Sequence, residues 1–244
     1  MSTSAAPDEA PATVETADGP MPAHVAVPAG APKGAVVVVQ EAFGVTDHIQ
    51  DVTRRFARAG WHAIAPALYH REGAPVFSYE DLQKAIPTMQ RLTAGGIATD
   101  VTAAYDELER GGFPAERVAI VGFCMGGTIA FYGATLRRIG AAVTFYGGGV
   151  AEGRWDLPSL VDLAPKLAAP WLGLYGDQDQ SIPVDQVERL RGAVAGAAVE
   201  TELVRYPDAG HGFHCDDRPQ SYRPEAAADA WRRTLGWLDR HIAT

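Results

Sequence analysis

Two cysteines in 244 residues are too few for the disulfide framework that holds small secreted domains together, so Cys124 and Cys215 are read as free thiols. No apolar run reaches the length of about eighteen residues that a membrane-crossing helix requires, which excludes a transmembrane helix of ordinary type. Positive charge is also scarce. Lys and Arg number 21 against 30 Asp and Glu, the formal net charge is -9, the isoelectric point is near 5.2, and no basic block offsets this locally. Such a surface repels phosphate backbones, so neither nucleic acid nor a membrane is expected as a partner. The opening residues, MSTSAAPDEAPATVETADGP, lack the basic start and apolar stretch of a secretory signal, which points to the cytoplasm. Internal repeats and composition breaks are missing too, and a single domain is expected, as a monomer or small homo-oligomer.

What is present is a rhythm of short buried strands and amphipathic helices. Apolar runs at 35–40, 61–65, 118–122, 141–146 and 171–175 are rich in β-branched and aromatic residues and are mostly bounded by Gly or Pro. Their continuous apolarity fits strands covered on both faces. Between them Ile49, Val52, Phe56 and Ala59 repeat at helical spacing, as do Val101, Ala104, Tyr105 and Leu108. A last helix opens at Pro224 and carries Trp231, Leu235, Leu238 and Ile242 along one face. Strand alternating with helix predicts an α/β fold with a mostly parallel sheet and helices on both faces. Residues 1–14, rich in Ala, Pro and Ser, are expected to form a flexible tail ahead of one domain over 15–244. The least regular stretch, 69–93, could form a cap or lip over a site.

Chemistry concentrates in four places. Gly122-Phe-Cys124-Met-Gly126-Gly127 follows a strand and precedes a helix-compatible run. This is a nucleophile elbow with Cys in place of Ser: a sharp strand-to-helix turn needs glycine two residues on either side of the exposed nucleophile, and the helix N-terminus favours a thiolate. Gly176-Asp177-Gln-Asp179 ends a later strand, where an orienting acid belongs; Asp177, directly after the turn glycine, is the better choice, with Asp179 capping the turn. Gly210-His211-Gly212 lies between the last strand and the last helix and is expected to deliver a general base. His214, Cys215, Asp216 and Asp217 follow closely, in a spacing that matches no common zinc pattern, and no metal is expected. Finally Gln40-Glu41-Ala42-Phe43-Gly44 closes an early strand in a loop suited to supply an oxyanion donor, the N–H of Ala42, opposite that of Met125.

Gln40-Glu-Ala-Phe-Gly44, Gly122-Phe-Cys-Met-Gly-Gly127, Gly176-Asp-Gln-Asp179, Ala209-Gly-His-Gly-Phe213 and the Pro66-Ala-Leu-Tyr69 segment together resemble the dienelactone hydrolases (carboxymethylenebutenolidases) of the α/β-hydrolase superfamily. The likeness runs from about Gly34 to the C-terminus. It implies hydrolysis of a small lactone or carboxylic ester through a Cys124-His211-Asp177 triad and a thioester acyl-enzyme, without cofactor. It also implies that the Glu41 carboxylate holds the resting thiol until substrate arrives. Phe43, Tyr69, Tyr146, Phe213 and Arg218 are expected to line the substrate site. One departure bears on the substrate. The family member that opens dienelactone binds the substrate's carboxylate with arginines, one of them shortly after the histidine motif, where this chain has Cys215; Arg218 stands three residues further on, and Arg71 is the one arginine in 69–84. The competing expectations are a general short-chain carboxylesterase with the same site, a non-catalytic α/β-hydrolase-like binding protein, and a thiol redox protein pairing Cys124 with Cys215.

Overall fold

A computed structural model describes residues 8–242. Eight strands form one sheet in the order β1-β2-β4-β3-β5-β6-β7-β8. They are β1 (Asp8–Thr16), β2 (Gly19–Val27), β3 (Ala35–Val39), β4 (His62–Pro66), β5 (Val118–Phe123), β6 (Ala141–Phe145), β7 (Trp171–Gly176) and β8 (Thr201–Tyr206). From β4 to β8 all neighbours are parallel, while β2 pairs antiparallel with both β1 and β4. The apolar runs of β3, β5, β6 and β7 are buried along their whole length, as strands covered on both faces must be. The helices are α1 (Asp47–Arg58), α2 (Leu82–Met89), α3 (Ala94–Arg110), α4 (Met125–Leu136), α5 (Leu160–Leu163), α6 (Val184–Val194) and α7 (Pro224–His241). Phe56 of α1 meets Trp231 of α7, ring centroids 4.6 Å apart, whereas α3 to α6 pack against one another in succession. This is the α/β architecture expected, with one addition.

The addition corrects the reading of the N-terminus. Residues 8–14 are part of a strand and not of a tail; residues 1–7 lie outside the described range. Thr16 and Gly19 close a two-residue turn, the Thr16 hydroxyl donating to the Gly19 carbonyl at 2.7 Å, and β1 runs back along β2 at the sheet's edge. Only Val14 of this strand is buried, so it shows almost no apolar pattern, and Pro11 is tolerated because an edge strand leaves half its N–H groups unpaired.

Strand order places the site. The carboxyl ends of β3, β5, β7 and β8 carry, respectively, the 40–46 loop, Cys124, the 177–181 turn and the 207–217 loop, and all four converge at one end of the sheet.

Candidate active site

Cys124 occupies the bend between β5 and α4 with φ 56° and ψ -117°, a left-handed conformation that a residue with a side chain holds only at a cost of about 1–3 kcal/mol. Its N–H donates to the Phe145 carbonyl at 3.0 Å and its carbonyl accepts from Gly127 N–H at 2.9 Å, which fixes the strain. The glycines are required by contact. A Cβ on Gly122 would stand 1.8 Å from the Gly126 carbonyl oxygen, and one on Gly126 would stand 2.3 Å from that of Val39. With both absent, α4 starts directly against the sheet and lifts the thiol into the pocket.

His211 reaches the same pocket from the 207–217 loop. The sequence could not show how that loop is held. Gly176 lets it cross the end of β7, for a Cβ there would meet the Ala209 carbonyl oxygen at 2.3 Å. Gln178 then stitches the two turns together, its N–H donating to the Ala209 carbonyl at 2.8 Å and its side-chain amide to that of Pro207 at 3.0 Å.

The acid beside His211 is Asp179, and the expectation of Asp177 is corrected. Asp179 Oδ2 lies 2.6 Å from His211 Nδ1, while Oδ1 accepts from the N–H and hydroxyl of Ser181 at 2.8 and 2.7 Å. Asp177 instead continues the sheet, donating its N–H to the Tyr206 carbonyl, and its carboxylate takes a two-pronged ion pair from Arg205 at 2.7 Å on each oxygen. The turn after Gly176 therefore sends its first carboxylate outward to β8 and its second inward. Asp179 is buried; its own burial opposes ionisation, but hydrogen bonds from His211 and Ser181 prevail and hold its pKa below the usual carboxylate value. At His211 burial again opposes the charged form, yet negative charge at Cys124 and the bonds to Asp179 and Cys124 raise the imidazole to about 10. The protonated imidazole, beside Cys124, is the form this arrangement favours.

Glu41 stands apart from this pair. It is buried, and neither carboxylate oxygen has a hydrogen-bond partner, Cys124 included, so the expected hold on the resting thiol is not what this structure contains. Burial, reinforced by the charge of Glu41, raises the acid groups of Tyr79 and Tyr146, and it raises the Cys215 thiol to about 12.

Cys124 and His211 open into a pocket of about 230 Å³, lined also by Ala42, Phe43, Met125 and Arg218 as expected. Three expected lining residues are corrected. Tyr69 is buried, its hydroxyl 3.0 Å from the Ala42 carbonyl oxygen; Tyr146 is buried against the His211 ring at 5.1 Å; Phe213 is buried between Tyr146 and Tyr206. None of the three lines the pocket. Aromatic residues flanking a motif pack under it as readily as they face its ligand, and sequence does not separate the two.

The pocket has residues that sequence reading missed. Leu82, Ile86 and Met89 give one wall from α2, the irregular stretch suspected of forming a lip. Arg154 and Trp155 come from a tight turn, Leu157 N–H donating to the Arg154 carbonyl at 2.8 Å, in which Trp155 and Asp156 both adopt positive φ, 54° and 62°. Asn-Gly is the usual sequence for such a turn, so Trp-Asp gives no warning of it. Neither Arg154 nor Arg218 has a carboxylate within ion-pair distance among the described residues. Arg218 lies over the faces of Phe43 and Tyr79, 5.6 and 5.5 Å from the centroids, with Nε buried and unpaired.

The residues after His211 are spent on structure. His214 packs among Phe123, Phe145 and Trp231, and burial with the nearby His48 and Arg55 lowers its pKa to about 3. Asp216 pairs with Arg55 and His48. Among the described residues no three His, Cys, Asp or Glu side chains are grouped to hold a metal ion, and no helix is long and apolar enough to cross a membrane.

Known proteins resemble this chain in sequence and fold. A Yersinia pestis relative, provisionally named a carboxymethylenebutenolidase, is 42% identical over 239 residues, covering 94% of this chain and 87% of its own. A relative from Escherichia coli K12 with the same provisional name is 42% identical over 229 residues, 91% of this chain and 83% of its own. A crystal structure from Klebsiella pneumoniae subsp. pneumoniae MGH 78578, provisionally a dienelactone hydrolase, superposes with a TM-score of 0.86 at 39% identity over 96% of this chain and 98% of that one. The sequence profile of the dienelactone hydrolase family spans residues 21–242, and the chain belongs to that family of α/β-fold hydrolases.

Proposed function

We propose that this hydrolase opens a small lactone or carboxylic ester by covalent catalysis, with Cys124 as nucleophile, His211 as proton carrier and Asp179 as the acid that orients it. The observation that carries the reading is a strained thiol beside an imidazole whose far nitrogen is fixed 2.6 Å from a buried carboxylate. The Cys124 thiolate adds to the carbonyl carbon, and the C=O electron pair moves onto oxygen, where the N–H groups of Ala42 and Met125 receive it. Collapse expels the alkoxide, which takes the imidazolium proton, and leaves a thioester. Neutral His211 then removes a proton from water as its oxygen attacks the thioester; loss of thiolate yields the acid and restores the ion pair.

Two arginines without acid partners favour a substrate that carries a carboxylate of its own. A guanidinium left unpaired beside an apolar wall binds an anion by charge-assisted hydrogen bonds, each worth about 1.5–3 kcal/mol. Arg218, three residues beyond Cys215, and Arg154 both line the pocket. The small volume agrees, for pockets holding drug-sized ligands start at about 300 Å³. The second reading, a general carboxylesterase, draws on the apolar wall of Leu82, Ile86 and Met89, which suits a neutral acyl chain.

Lactones matched in size, with and without a carboxylate, separate the two. The carboxylate-bearing one is expected to have the higher kcat/KM, and Arg218→Ala to reduce that preference by roughly 10-fold or more. Equal values for both substrates in the wild type would favour the general esterase.

A further inference from the structure

The two proposed oxyanion donors belong to separate segments. Ala42 lies in the loop after β3 and Met125 at the start of α4, so the hole exists only if something fixes the loop against the helix. Direct contact supplies part of this, since the absent Cβ of Gly126 lets α4 press on the Val39 and Gln40 carbonyls. The Ala42 peptide itself needs a further hold, because backbone N–H groups aimed at an oxyanion cannot also be spent on internal hydrogen bonds. Among the described residues neither the Ala42 nor the Met125 N–H donates to a turn or loop carbonyl.

Residues 68 and 69, just beyond β4, provide the hold. The Tyr69 hydroxyl, buried, donates to the Ala42 carbonyl at 3.0 Å and lies 3.1 Å from Met125 Sδ, so one oxygen touches both donor residues. On the other side of Ala42, the buried Gln40 side chain donates from Nε2 to the Glu41 carbonyl at 3.4 Å and accepts from Leu68 N–H at 3.1 Å. The peptide units before and after Cα of Ala42 are thereby both tied to the 68–69 segment. We infer that Tyr69 and Gln40 are positioning residues that set the Ala42 N–H against the Met125 N–H and so preorganise the oxyanion hole without touching substrate.

This rests on the thiol mechanism proposed above, and the test is built so that the two fail differently. Carbonyl attack on p-nitrophenyl acetate needs the hole; alkylation of Cys124 by iodoacetamide, a displacement at saturated carbon, develops no oxyanion. Removing one oxyanion donor costs roughly 100- to 1000-fold in kcat, and loosening one should cost less. Tyr69→Phe, which deletes one oxygen, is expected to lower kcat about 10- to 100-fold with KM within about twofold, while the alkylation rate stays within about twofold of wild type. Gln40→Leu is expected to do the same, and the double variant to fall well short of the product of the two, since both act on one peptide. An unchanged kcat in Tyr69→Phe, or an alkylation rate that falls in step with kcat, would overturn the inference; in the latter case the hydroxyl supports the whole site and not the hole. Full ester turnover in Cys124→Ala would instead remove the thiol mechanism itself.

Discussion

One residue, Gln178, separates the aspartate that meets His211 from the one that does not, and the difference is one of direction. At the end of β7 the chain still follows the sheet at residue 177, so that side chain faces Arg205 on β8; by residue 179 the turn has rotated the carboxylate inward under the imidazole. Asp179→Asn is expected to lower kcat/KM by roughly 100-fold or more, because His211, the proton carrier, loses the carboxylate that orients it. Asp177→Asn removes only a partly exposed ion pair, and such pairs contribute about 0–1 kcal/mol to stability. The pH profile makes the same distinction. Activity is expected to fall as pH rises through about 10, where His211 loses the proton it must give to the leaving group. Asp179 raises that pKa, so Asp179→Asn moves the alkaline limb to lower pH, whereas Asp177→Asn leaves it in place. Steady-state rates across pH for the two variants check this, and a limb shifted by Asp177→Asn alone would reverse the assignment. Gly-Asp-Gln-Asp offers two acids and favours the first by its place after the turn glycine; the partner strand's Arg205, 28 residues away in sequence, is what takes that one out of contention.

At the scale of elements, legibility follows burial. Strands covered on both faces announce themselves as unbroken apolar runs, and β3 to β7 stand where those runs lie. β1 buries only Val14, and nothing local distinguishes it from a flexible tail; its order comes from pairing with β2 along the sheet edge. The turn carrying Arg154 and Trp155 was equally silent, because its geometry is imposed by the surrounding packing on residues that disfavour it. The elbow was the most legible element, since the Gly122 contact with Gly126 is local to the motif, although Gly126 itself answers to the Val39 and Gln40 carbonyls at the end of β3. Gly122→Ala, with a Cβ placed 1.8 Å from the backbone oxygen of Gly126, is expected to cost several kcal/mol or prevent folding, at about 3 kcal/mol or more by analogy with severe overpacking. Gly192→Ala, in the last turn of α6 and facing open space, should stabilise by up to about 0.5–1 kcal/mol. Thermal melts of the pair test whether steric contact, and not glycine flexibility, governs the elbow.

Across the whole molecule, a parallel sheet gathers residues from positions 42, 124, 179 and 211 at one end, which no local pattern could bring together. The motifs were legible because each had to satisfy its own turn. Their partners in the pocket, Arg154, Trp155 and the α2 wall, were not, because they are chosen by the shape of the assembled site and ultimately by the substrate. On the function proposed above, this assembly makes Cys124 Sγ the atom that bonds to the substrate's carbonyl carbon. Rapid acid quench after mixing with an activated ester, followed by mass analysis of the peptide containing Cys124, reads this directly. The account predicts one acyl group on that peptide within the first turnover, and neither adduct nor turnover in Cys124→Ala. Turnover at the wild-type rate with no acyl group on Cys124 at any quench time, or undiminished turnover in Cys124→Ala, would contradict it.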